Sequence, residues 1–107
     1  MVTITISKGK GESEPYTLAH LQIAAVLSPA TPGENLKVAI YGSFDNVIYG
    51  PVVIHANGPI AFETKGFPQM SVFNPRDFSG VMYFKFVLEG YRAKEDLPFL
   101  VYLQESR

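Results

Sequence analysis

The chain of 107 residues contains no cysteine and no tryptophan, and charged residues make up only 18% of it. Without cysteine it can form neither a disulfide framework nor a thiolate metal site. A net charge of −1 gives no basic field to hold a phosphate backbone, so we expect no nucleic-acid partner. No apolar run approaches the ~20 residues that span a bilayer, so no membrane partner is expected either.

Charge is scarcest in residues 38–62, where Asp45 is the only formally charged residue. Soluble monomers usually interrupt such runs with charges, because exposed uncharged strands pair with other chains. Two explanations are open. Either the run is buried inside its own domain, or a partner protein covers it.

Alternating apolar and polar residues predict strands along most of the chain, most clearly at residues 82–88. Residues 47–54 are more uniformly apolar, with a break or an edge at Pro51. Residues 16–27 are compatible with a helix or a strand, and the β character of the rest of the chain favours a strand. Frequent glycines and eight prolines disfavour long helices. We predict one all-β domain over residues 1–107, an antiparallel two-sheet sandwich or jelly-roll-like barrel of about seven or eight strands.

Residues 1–14 are predicted to form an N-terminal arm that begins with a half-buried strand. Its apolar residues, Val2, Ile4 and Ile6, alternate with threonines and do not resemble the long apolar core of a secretory signal. A polar stretch at residues 7–14 separates this strand from the rest of the domain. The strand pairs either within its own sheet, which we favour, or with the sheet edge of a neighbouring molecule.

Two turns are predicted from their residue types. Gly42, Ser43 and Asp45 combine a permissive backbone with side-chain oxygens that bond nearby amides. Asn57 and Gly58 are typical of a tight turn between paired strands.

No set of residues predicts a catalytic, cofactor-binding or metal site, and we expect that the chain is not an enzyme. The two histidines, His20 and His55, lie on different segments and are expected at the surface or beside turns. The ten acidic residues are dispersed among predicted turns and strand ends, and a sandwich of this size has little room for the cleft across which a catalytic carboxylate pair must face.

Aromatic residues cluster near the first predicted turn, which favours a protein contact or core packing. The outward face of the strand at residues 36–40, which carries Ala39 and Tyr41, is where a partner is expected. The predicted interface residues are Val2, Ile4, Ile6, Tyr41, Phe44 and Tyr49. The alternative is a carbohydrate- or ligand-binding module that uses Tyr41, Tyr49 or Phe67 as a stacking platform.

Residues 38–46, with the sequence VAIYGSFDN, resemble a pattern in small virion structural proteins of tailed phages. In that pattern an alternating strand ends in Gly-Ser-x-Asp and a tight turn; this chain lacks the tryptophan that comes after the turn. The resemblance implies a capsid decoration (cement) subunit of the virion, assembled in the host cytoplasm. It would bind further copies of itself, as a trimer or another small oligomer, and a major capsid or other virion protein.

Overall fold

A computed structural model describes residues 1–54 and 57–105 of the chain. This part of the chain forms eleven strands and a short 3₁₀ helix at Pro75–Phe78. The strands are β1 (Val2–Ile6), β2 (Tyr16–Thr17), β3 (Leu21–Ser28), β4 (Lys37–Ser43), β5 (Gly50–Pro51), β6 (Val53–Ile54), β7 (Gly58–Pro59), β8 (Ala61–Glu63), β9 (Gln69–Val72), β10 (Tyr83–Leu88) and β11 (Leu97–Glu105). The all-β prediction is confirmed, and residues 16–27 contain strands instead of a helix.

The strands form two antiparallel sheets that pack as a sandwich. Sheet A has the order β1-β11-β3-β9, and sheet B has the order β2-β10-β4-β5. The short β8 also pairs with β4, beside its first half, while β6 and β7 form a separate hairpin. Seven or eight strands were predicted and eleven are observed. The excess comes from very short strands, since β2, β5, β6 and β7 have only two residues each.

Phenylalanine rings hold the two sheets together. Phe86 of β10 contacts Phe99 of β11 with ring centroids 5.2 Å apart, and Phe62 lies within 6 Å of both rings. The alternation predicted for β10 is confirmed at Phe84, Phe86 and Leu88, which are buried, whereas Met82 lies just outside the strand and is 39% exposed. Edge-to-face contacts of this kind add to the stabilisation that comes from burial.

The first strand belongs to sheet A of its own chain, where β1 pairs with β11 in the register Ile4↔Phe99. Ile4 and Ile6 were predicted as interface residues, but they lie in the core because their face of β1 points toward sheet B. Val2 is half-buried and packs against the same core. The segment after β1 is anchored too: the Ser13 N–H donates to the Phe86 carbonyl, and the Ser13 hydroxyl accepts the Phe86 N–H, both at 2.9 Å.

The uncharged region differs from expectation in two places. The strand segment expected at residues 47–54 starts only at Gly50, because residues 44–49 form a loop; its break at Pro51 is as predicted, since β5 ends there and β6 begins at Val53. Ala39 does not face a partner, since it is 1% exposed. Its small side chain lies in β4 between Val87 of β10 and Ala61 of β8, which are its direct cross-strand neighbours.

Candidate functional site

The most exposed apolar cluster of the described residues lies on the loop between β4 and β5, residues 44–49, which we call the apolar loop. Phe44 is 80% exposed, Val47 79% and Ile48 76%. Single exposed apolar residues are common on protein surfaces and need no explanation. Three large exposed apolar side chains on one short loop are typical of a site for contact with another molecule.

The apolar loop is held in place by two polar side chains at its start. The Ser43 hydroxyl accepts the Asn46 N–H at 3.0 Å and donates to Asp45 Oδ1 at the same distance. Asp45 Oδ1 in turn accepts the N–H groups of Val47 at 2.9 Å and Ile48 at 3.0 Å. These bonds hold the backbone from Asp45 to Ile48, which includes two of the three exposed apolar residues, in a defined turn.

The same bonds set the ionisation of the loop's only carboxyl group. Hydrogen bonds from the Val47 N–H, the Ile48 N–H and the Ser43 hydroxyl lower the pKa of Asp45 below its ordinary value. Asp45 is therefore a carboxylate at neutral pH. One of its oxygens accepts hydrogen bonds from the loop itself, so the negative charge stabilises the loop conformation.

A groove of about 570 Å³ lies beside the apolar loop. Its apolar lining includes Phe44 and Ile48 of the loop together with Val81. Gly42 also lines the groove, and a Cβ there would lie 3.0 Å from γ carbons of both Val52 and Val81, so these valine side chains would have to shift. Asp77 contributes a second carboxylate to the lining. The groove suits an apolar side chain, and a cationic group can lie near its two carboxylates.

The two tyrosines predicted as interface residues are half-buried and lie on the outer side of sheet B. The Tyr49 hydroxyl donates to Asn46 Oδ1, and the Lys85 ammonium lies 4.5 Å from the centre of the Tyr49 ring. Burial, with smaller contributions from Tyr83 and Asp45, raises the pKa of Tyr49. Tyr41 lies directly opposite Lys85 in the sheet. Both tyrosines therefore lie where the apolar loop joins sheet B, and both have neighbours within the chain.

Of the predicted residues, the structure brings Tyr41, Gly42, Ser43, Phe44, Asp45 and Tyr49 together around the apolar loop. Asn57 and Gly58 lie in a different turn, where the Asn57 N–H donates to the Ile54 carbonyl at 2.9 Å and Gly58 opens β7 with a positive φ of 80°. The structure does not place Phe67 beside the tyrosines. Phe67 comes after β8, whose Glu63 pairs with Lys37 at the start of β4, far along that strand from Ser43.

Val47 and Ile48 are the site residues that sequence reasoning missed, because their apolar side chains were assigned to a strand. The available signal was Asp45, which precedes Val47 by two residues and Ile48 by three. An aspartate at that distance can accept hydrogen bonds from both amides and so form a turn. Asn46 gave a second signal, because asparagine tolerates the left-handed backbone that it adopts here, with a φ of 62°.

The other groups considered for chemistry are dispersed. His20 is exposed in the turn closed by the bond from the Leu21 N–H to the Leu18 carbonyl, and His55 lies outside the described residues. Within residues 1–54 and 57–105, no three histidine or acidic side chains are grouped so that they could hold a metal ion. No helix in the same ranges is long and apolar enough to cross a membrane.

The geometry of the site indicates binding. A hydrogen-bonded loop with three exposed apolar side chains, beside a groove with apolar walls, is suited to burial against a complementary apolar surface. Comparisons of the chain with protein-family models, curated proteins and solved structures find no match.

Proposed function

We propose that this chain is a structural subunit that binds a neighbouring protein of a larger assembly through the apolar loop. In its narrower form the proposal is a decoration subunit of a tailed-phage shell, as the resemblance at residues 38–46 implies. The observation that carries the proposal is the exposure of Phe44, Val47 and Ile48, each above three quarters, on a loop that is hydrogen-bonded into one conformation.

Burial of the apolar loop would supply part of the free energy of binding. Full burial of one such side chain contributes about 1.5–3 kcal/mol, so three side chains supply roughly 5–9 kcal/mol before the cost of association. The existing hydrogen bonds reduce that cost, because the loop is already ordered before it binds. An interface of ordinary strength needs further contacts around this centre, which a subunit held by several neighbours would have.

The charges near the loop favour a protein surface over an anionic one. Asp45 and Asp77 both line the groove, and the whole chain carries a net charge of −1. Carboxylates beside the contact surface repel phosphate groups of nucleic acids and of anionic lipids. A protein surface that offers apolar side chains and a basic residue matches the same groove.

The test is co-sedimentation of the purified chain with empty shells assembled from a capsid protein that the same genome encodes. The test variant combines Phe44→Ser, Val47→Ser and Ile48→Ser. If the loop lies at the interface, its apparent Kd should rise at least 100-fold, since each side chain contributes about 1 kcal/mol or more. The control combines Phe67→Ser and Tyr91→Ser, which removes exposed apolar side chains away from the loop and should leave binding unchanged.

Two results would contradict the proposal. Wild-type chain that remains in the supernatant at every shell concentration would exclude the decoration role. Equal binding by the wild type and the loop variant, with both folded by circular dichroism, would exclude the apolar loop as the contact surface.

A further inference from the structure

The sheet edges of this molecule are unequally protected against pairing with other chains. On sheet B, one edge strand, β2, is two residues long, and the other edge consists of β5 with its Pro51 and β8 with its Glu63. Short strands, proline and charge are the usual protections of an edge. On sheet A, neither edge strand, β1 or β9, contains a proline or a charged residue.

The two bare edges of sheet A differ in their outward side chains. On β1 the outward residues are threonines, of which Thr3 is exposed, as is ordinary for a solvent-facing strand. On β9 the outward residues are Met70, 46% exposed, and Val72, 78% exposed. Met70 lies opposite Leu27 of β3, so the apolar surface continues from the edge onto the outer face of sheet A.

The backbone of β9 also has groups directed away from its own sheet. The Phe73 N–H donates to the Ala24 carbonyl at 2.9 Å. Because the bonds of an antiparallel ladder alternate, Ser71 also faces β3, while the N–H and C=O groups of Met70 and Val72 face outward. No strand of the described chain lies on that side of β9, since β9 is the last strand of sheet A.

We propose that β9 pairs with β9 of a second copy of this chain, antiparallel and about a two-fold axis at Ser71. The two four-stranded sheets A would then become one continuous sheet across the dimer. In this register Met70 lies opposite the second copy's Val72, so the outward backbone groups bond each other and the exposed apolar side chains meet.

A second copy fits this edge better than an unrelated partner. The edge contains no charge that a charged partner would recognise, whereas its own sequence is complementary to itself under a two-fold axis. Four residues extend about 14 Å, so the contact buries less than the ~800 Å² per partner of a standard interface. The dimer should therefore be weak and depend on concentration. This inference concerns a surface separate from the apolar loop and goes beyond the proposed function.

Sedimentation equilibrium from about 1 µM to about 1 mM covers the concentrations at which a weak dimer forms. The wild-type mass should rise from the 11.8 kDa of one chain toward twice that value. Val72→Lys should raise the Kd at least tenfold, because it brings two cations and their hydration into the contact. Thr3→Lys is the matched control, since it adds the same charge to the exposed face of the opposite edge strand and should leave the dimer intact.

Hydrogen exchange separates edge pairing from other dimers. The amides of Met70 and Val72 should exchange at least tenfold more slowly in the dimer than in dilute wild-type protein. A wild-type mass that stays at one chain over the whole range would overturn the proposal, as would exchange at these amides that is independent of concentration. Loss of the dimer in Thr3→Lys but not in Val72→Lys would assign the contact to β1 and also overturn it. The triple serine variant of the apolar loop should still dimerise; a monomer there would place self-association on the loop instead.

Discussion

Replacing Ser43 by alanine tests whether the apolar loop depends on the hydroxyl at its start. Ser43 is buried and forms three side-chain hydrogen bonds: one to Asp45 Oδ1, one from the Asn46 N–H and a longer one from the Asp45 N–H at 3.3 Å. Counting only the two shorter bonds, at about 0.5–1.5 kcal/mol each, the change should destabilise the folded chain by about 1–3 kcal/mol.

Two measurements check this value. The urea midpoint of unfolding should fall by about 1 M, given the m values of small domains. The Asn46 amide should exchange at least tenfold faster, and the Val47 and Ile48 amides should also exchange faster because the hydroxyl no longer orients the Asp45 carboxylate. Ser7→Ala is the control, since Ser7 is exposed and its hydroxyl forms no hydrogen bond among the described residues. An unchanged midpoint together with unchanged exchange at Asn46 would refute the role given to Ser43.

Two further predictions concern the pH response and the core. Because the folded-state pKa of Asp45 is lowered, its carboxylate stabilises the folded chain above the ordinary carboxyl pKa, and that contribution disappears as the pH falls through the folded-state pKa. Asp45→Asn should therefore have a lower urea midpoint than the wild type at pH 7, and the difference should shrink at about pH 3; a constant difference would contradict the assignment. Thr64→Val should cost about 2–3 kcal/mol in urea unfolding, since the buried Thr64 hydroxyl accepts the Leu36 N–H at 3.0 Å and bonds Thr31 Oγ1 at 2.7 Å. Thr64→Ser keeps the hydroxyl and should cost about 1 kcal/mol; a valine variant as stable as the serine variant would contradict this account.

The fold class was predictable because alternation has a direct physical cause. In β10 the residues that face the core are aromatic or aliphatic. The residues that alternate with them, among them Lys85, are half-buried on the other face. The same logic gave β1 its correct alternation, and the favoured pairing within its own sheet is the one observed, but Ile4 and Ile6 were also predicted as interface residues and are buried instead. Alternation tells which residues are buried; it contains no information on whether the covering sheet belongs to the same chain.

The candidate site was partly predictable for a similar reason. Local turn chemistry indicated Ser43 and Asp45, because their side chains act on amides a few residues away. The exposure of Val47 and Ile48 was not predictable from composition, since short apolar segments look alike in strands and in loops. That β9 is an edge strand without charge or proline could not be predicted either, because strand order depends on pairings between segments that are far apart in the sequence.

The place of β11 in sheet A has a consequence for how the protein is made. This strand, Leu97–Glu105, lies between β1 and β3 and pairs with both of them. During synthesis the ribosome delivers β1 and β3 long before β11 exists, and a domain of this kind completes its long-range pairings late. Until residues 97–105 have emerged, β1 has no neighbour in its own sheet. The nascent chain therefore exposes its uncharged first strand until residues 97–105 have emerged, and during that interval chaperones and neighbouring nascent chains can reach it.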